Sequence, residues 1–172
     1  MAEKTAFVIV DMLNDFVREG APLEVPKTRE VLPNVRRELE RARREGMPVV
    51  YLCDRHKPDD PEFKVWPPHA VEGTEGAEVV QELAPQEGDL VIPKVSYSGF
   101  FRTDLEDRLR ELGVEKLIIT GCVTNICVLY TSVDALMRGY EVEVLEDCVA
   151  ALDEEDGRFA LKQIREVLKP RR

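Results

Sequence analysis

Three residues at the ends of apolar runs have the types needed for nucleophilic attack on a carbonyl. The stretch Gly121-Cys-Val-Thr-Asn-Ile-Cys-Val-Leu-Tyr-Thr-Ser-Val-Asp-Ala135 joins a strand to an amphipathic helix and puts Cys127 in that helix's first turn. A thiol there feels the positive end of the helix dipole, which favours the thiolate. It also lies among unpaired N–H groups, which can hold an oxyanion. Asp11 ends the run Phe7-Val-Ile-Val10 and could take the Cys127 proton, then return it to a leaving amine. Lys94 ends Leu90-Val-Ile-Pro93 and, beside a thiol and a carboxylate, would favour the ionised form of both.

A second group has metal-ligand character. Both histidines of the chain, His56 and His69, fall between Tyr51-Leu-Cys-Asp54 and Pro67-Pro-His69. Asp54 and His56, two apart, can point the same way from an extended segment. Two imidazoles and a carboxylate suit zinc, iron or manganese with positions left open for water or substrate. A divalent ion, zinc first, is therefore the expected cofactor.

The elements that must position these residues alternate in type. Apolar runs at 6–10, 48–52, 90–93, 116–120 and 141–145 read as strands. Helical periods cover 28–45, a short segment near 75–82, 103–112, 125–138 and 153–167, with Thr28 and Asp153 as N-caps and Gly46, Gly113 and Gly139 as stops. This alternation predicts one α/β domain over residues 1–172: three αβα layers around a parallel sheet of five strands, or six. Ligands in such folds sit beyond the carboxyl ends of the strands. Asp11, Asp54, Lys94 and Cys127 all fall at that rim.

Composition narrows the partners. A net charge of −10 over 172 residues disfavours nucleic acid, whose phosphates need a basic surface. The Arg-rich run 36–44 is interleaved with Glu38 and Glu40 and reads as a solvated helix face. No apolar run is long enough to span a bilayer, and the first residues lead directly into a strand without a signal-peptide pattern. The four cysteines lack disulfide spacing, so a reducing, cytoplasmic setting is expected. Cys53, Cys122 and Cys148 read as small buried residues.

The motifs together resemble the isochorismatase-like cysteine hydrolase superfamily, and within it the nicotinamidase group. The resemblance is carried by Val8-Ile-Val-Asp-Met12, Asp54-Arg-His56, Trp66-Pro-Pro-His-Ala-Val-Glu-Gly-Thr74, Tyr97-Ser-Gly-Phe100 and Gly121–Ala135. It implies a Cys127–Asp11–Lys94 triad and a cis peptide between Cys122 and Val123. It also implies an oxyanion hole from the backbone N–H groups of Val123 and Cys127. Asp54, His56 and His69 match the metal ligands, and Phe16 and Trp66 match aromatic residues lining the ring pocket. The implied reaction converts a small-molecule amide, nicotinamide, to nicotinate and ammonia in NAD salvage. Relatives commonly associate, so a homo-oligomer is expected. Only Val95 and Ser96 separate Lys94 from Tyr97, where many nicotinamidases carry more residues. That leaves open a ureido or carbamoyl amide, or isochorismate, as the substrate. A thiol redox protein using Cys127 and Cys122 is the alternative of a different class.

Overall fold

The computed structural model of the chain describes residues 4–168. Its sheet has five strands: β1 (Thr5–Val10), β2 (Val49–Asp54), β3 (Leu90–Lys94), β4 (Lys116–Cys122) and β5 (Glu141–Ala150). They are all parallel and run in the order β3-β2-β1-β4-β5. The order reverses at β1, so the crevice beyond β1, β2 and β4 is where a ligand site is expected.

The period-two alternation of β1 splits the interior into two cores. Phe7 and Ile9 face one side, with α2 (Lys27–Arg44) packed there through Val31, Val35, Leu39 and Ala42. Ala6, Val8 and Val10 face the other, against Leu105 and Leu109 of α3 (Leu105–Glu111) and Ala135 of α4 (Leu129–Met137). Truncating a buried leucine such as Leu39 to Ala would cost about 2–5 kcal/mol by the usual cavity penalty. The outer face of α2 carries the ion pairs its sequence implied, among them Arg36–Glu40 and Arg41–Glu45. Among the described residues no helix is long and apolar enough to cross a membrane.

Several boundaries differ from the sequence expectation. Thr28 lies inside α2 rather than capping it, because its hydroxyl donates back to the Val25 carbonyl at 2.6 Å. The expected helix at 75–82 is two 3₁₀ turns, Glu75–Ala77 and Gln81–Leu83, because Val79 between them bridges to Leu13. β5 continues five residues past its apolar core, to Ala150, with a register irregularity opposite Ile119–Gly121. Asp153 does cap α5 (Glu154–Lys162), accepting from the N–H groups of Glu155 and Asp156. A four-residue α1 (Asn14–Val17), which carries no helical period, sits just beyond β1.

Candidate active site

The strand ends converge as expected. Asp54 and Lys94 are register partners at the ends of β2 and β3, so their side chains leave the same face of the sheet side by side. Asp11 follows β1 with φ +50°, a left-handed conformation that aims its carboxylate across the tip of β2. There its Oδ1 accepts the Asp54 N–H at 2.8 Å. Gly121 permits the matching approach from β4. Its φ is +108°, and a Cβ there would lie 2.0 Å from the Val10 carbonyl oxygen. The Cys122–Val123 peptide is cis, as the resemblance implied.

Lys94 is the hub. Its Nζ lies 2.9 Å from Asp11 Oδ2 and 3.5 Å from Cys127 Sγ, and it ion-pairs with Asp54 Oδ1. It also donates to the Ser96 carbonyl at 2.9 Å. All four side chains are buried. Beyond Lys94, Asp11 Oδ2 has no partner, which leaves a lone pair able to receive a proton.

Burial separates the two carboxylates. It is the largest influence on Asp11, and with the neighbouring Asp54 charge it outweighs Lys94, so Asp11 is pushed up to about 6. Burial acts the same way on Asp54, but Lys94 and the two imidazoles overcome it and hold Asp54 well below the usual carboxylate range. Burial opposes the thiolate that the helix start and Lys94 favour. Burial raises Cys127 well above a free thiol, Lys94 opposes this, and Asp11 and Asp54 reinforce it. Cys127 also lies in a π-helical turn, Thr124–Val128, that leads into α4. The resting thiol is therefore protonated and needs a base at the moment of attack.

The metal-ligand candidates also meet. Ligand atoms of Asp54, His56 and His69 lie within 4.8 Å of one another. Both Nε2 atoms stand 3.7 Å from Asp54 Oδ2. The other ring nitrogens are engaged: His56 Nδ1 with Asp60 at 3.0 Å and His69 Nδ1 with the Pro67 carbonyl at 2.7 Å. Such bonds fix the tautomer that turns an Nε2 lone pair towards an ion. His56 Nε2 is buried without a hydrogen-bond partner. Burial alone would lower the His56 pKa, but Asp54 and Asp60 carry it up to about 9.

Glu62 was not expected at this site. Its Oε1 stands 3.7 Å from His69 Nε2 and 3.9 Å from His56 Nε2. Asp60 caps the 3₁₀ turn Pro61–Lys64 by accepting the Glu62 N–H at 2.9 Å while holding His56, so one carboxylate sets two candidate ligands. Ligands about 2.1 Å from a tetrahedral ion sit about 3.4 Å apart, and the Nε2–carboxylate separations here, 3.7–3.9 Å, are close to that.

Cys127, Asp54, His69 and Glu62 border one cavity. Phe16 and Trp66 line it, together with Tyr97, Leu23 and Ile126. The Trp66 indole N–H donates to the Tyr97 hydroxyl at 3.2 Å, joining the loop after β2 to the loop after β3. Phe16 presents a ring edge to His69, with centroids 5.5 Å apart. Val123 and Cys127, the expected oxyanion donors, both border the cavity.

The isochorismatase domain family matches residues 5–170. The chain belongs to this family. Among solved structures, an isochorismatase-like hydrolase from Alkaliphilus metalliredigens is 39% identical, with a TM-score of 0.92, covering 96% of this chain and 93% of that one. N-carbamoylsarcosine amidase from Thermoplasma acidophilum is 40% identical, with a TM-score of 0.86 and coverage of 94% and 92%. The pyrazinamidase of Pyrococcus horikoshii, solved in complex with zinc, is 34% identical, with a TM-score of 0.90 and coverage of 94% of each chain. This protein is accordingly an isochorismatase-family hydrolase.

Proposed function

We propose that this hydrolase cleaves a small, flat, uncharged amide, nicotinamide above others, to the acid and ammonia through a thioester on Cys127. The observation that carries the reading is the composition of the cavity that Cys127 shares with Asp54, His69 and Glu62. Apart from Asp54, Glu62, His69 and Cys127 its walls are aromatic and aliphatic, and no arginine or lysine is among its lining residues. A carboxylate-bearing ureido or carbamoyl substrate would enter beside the like-charged Asp54 and Glu62, an electrostatic cost that the divalent ion would have to offset. An uncharged ring avoids that cost and gains from Phe16, Trp66 and Tyr97.

In this mechanism Asp11 takes the Cys127 proton as Sγ attacks the carboxamide carbon. Lys94 stays charged between the two carboxylates and keeps Asp11 in position. The tetrahedral oxyanion receives the N–H groups of Val123 and Cys127. Asp11 returns the proton to the amine nitrogen and ammonia leaves. Asp11 then draws a proton from water as it cleaves the thioester, releasing the acid and restoring the thiol. Asp54, His56, His69 and Glu62 would hold a divalent ion, which supplies a Lewis-acid anchor for a ring-nitrogen lone pair.

The test is ammonia release from nicotinamide by the purified protein with zinc, manganese or iron(II), beside Cys127→Ala. Release by the parent, reduced at least about 1000-fold in the variant, supports the reading. Release from N-carbamoyl amino acids but not from nicotinamide would overturn it.

A further inference from the structure

We propose that Asp15, which does not touch the candidate metal group, is a positioning residue for it, and that position 76 is glycine because the Asp15 carboxylate fills the space of a Cβ. The inference rests on the assignment of His56 and His69 as ligands. His69 is followed by Ala70, fully buried, with φ +45°. A non-glycine residue in that region costs about 1–2 kcal/mol, so other contacts must hold it. Two hydrogen bonds do. The Ala70 N–H donates to Asp15 Oδ2 at 2.9 Å. The Ala70 carbonyl accepts the His56 N–H at 2.9 Å. One peptide segment thereby sets both imidazoles, and Asp15 is its tether on α1.

The tether is itself confined. An added Cβ at Gly76 would lie 2.2 Å from Asp15 Oδ2 and 2.3 Å from Oδ1. The neighbouring backbone cannot simply slide away, because Asn14 holds it through its side-chain amide to Glu75 O at 2.8 Å and its N–H to Glu78 O at 3.0 Å. A methyl group at 76 must therefore push the carboxylate off the Ala70 N–H. Asp15 precedes Phe16, whose ring edge meets His69, so a shift on α1 reaches the imidazole by a second route.

The experiment measures zinc affinity of metal-stripped protein at 25 °C by competition with a chromophoric chelator, with thermal melts of each metal-free sample. Asp15→Ala and Gly76→Ala should each weaken zinc binding about tenfold or more, as loss of an outer-shell partner does. Asp15→Asn keeps an acceptor oxygen for the Ala70 N–H and should recover most of the affinity. Gly76→Ala added to Asp15→Ala should change little, since no carboxylate remains to displace. Parental zinc affinity in both single variants, with only the melting temperature lowered, would reduce Asp15 to a structural contact and overturn the proposal. Additive losses in the double variant would overturn the stated reason for glycine. A parent that binds zinc no better than His69→Ala would instead remove the ligand assignment, and the proposal with it.

Discussion

The Cys122 thiol donates to the main-chain carbonyl of Asp11 across 3.2 Å. It joins the end of β4 to the residue after β1, where the register pairs Val10 with Gly121. The Asp11 N–H is held by the Leu52 carbonyl at 2.9 Å and its carboxylate by the Asp54 N–H at 2.8 Å. Cys122 secures the remaining polar group of a residue in a left-handed conformation. Burial, with Asp11 and Asp54 nearby, raises its pKa well above a free thiol.

A thiol occupied in this way is a poor redox partner, because exchange and oxidation both proceed through the thiolate. Peroxide treatment near neutral pH should therefore give no Cys122–Cys127 disulfide by mass spectrometry. Cys122→Ser, which retains a donor, should keep more activity than Cys122→Val. Appearance of the disulfide would favour the redox alternative.

The raised Asp11 pKa sets a pH dependence. A carboxyl titrating at about 6 is protonated and unable to accept the thiol proton below that pH, and is ionised and competent above it. Asp54 stays ionised throughout, so of the two carboxylates paired with Lys94 only Asp11 supplies this limb. The profile of kcat/KM should fall on the acid side with an apparent pKa of about 6. Asp11→Asn should lose nearly all turnover. A flat profile from pH 5 to 7, in protein whose metal content is constant, would remove Asp11 as the base.

Lys94 is the only cation in contact with Asp11 among the described residues, and it is fully buried with it. Lys94→Met preserves the side-chain length but strands two buried carboxylates. Breaking a buried pair from one side costs about 3–5 kcal/mol, which for a chain of this size is a fall of roughly 6–20 °C in Tm. The sign of the pH effect follows. Without Lys94 the carboxyl pKa values rise in the folded state, so the folded variant binds more protons than the unfolded chain. Its deficit should therefore shrink as pH falls. Equal melting temperatures at pH 7.5 would show that the charge is not needed to balance the site.

The sheet and the converging strand ends were readable because β1, β2 and β4 are short apolar runs with turn signals, and each ends in a chemically distinctive residue. What the sequence concealed depends on contacts between distant segments. The 75–82 stretch has helical composition, but Val79 pairs with Leu13 and Gly76 abuts Asp15, and these contacts override propensity. Lys94 could be seen near a thiol, but not that Asp11 and Asp54 would share it and, with burial, raise the Cys127 pKa. Glu62 has no periodicity to mark it. Its signal was only an acidic residue in the loop between two histidines, directed by the Asp60 cap.

Glu62 gives the sharpest test of the metal group. Asp54 and Glu62 supply two negative charges beside two imidazoles whose Nε2 atoms face inward, a balance that suits a divalent ion. Burial raises the Glu62 pKa, with Asp54 adding to it and the histidines opposing it, so a bound cation would relieve a strained charge arrangement. Glu62→Gln keeps the shape and removes the charge. It should weaken zinc binding about tenfold or more, with His69→Ala lower still. If the ion anchors the substrate ring, KM for nicotinamide should rise in Glu62→Gln while kcat at saturation changes less. Unchanged zinc affinity in Glu62→Gln would leave Asp54, His56 and His69 as the whole ligand set and make Glu62 a wall of the cavity. A fall in kcat with constant KM would instead place the charge of Glu62 in the service of the reacting groups around Cys127.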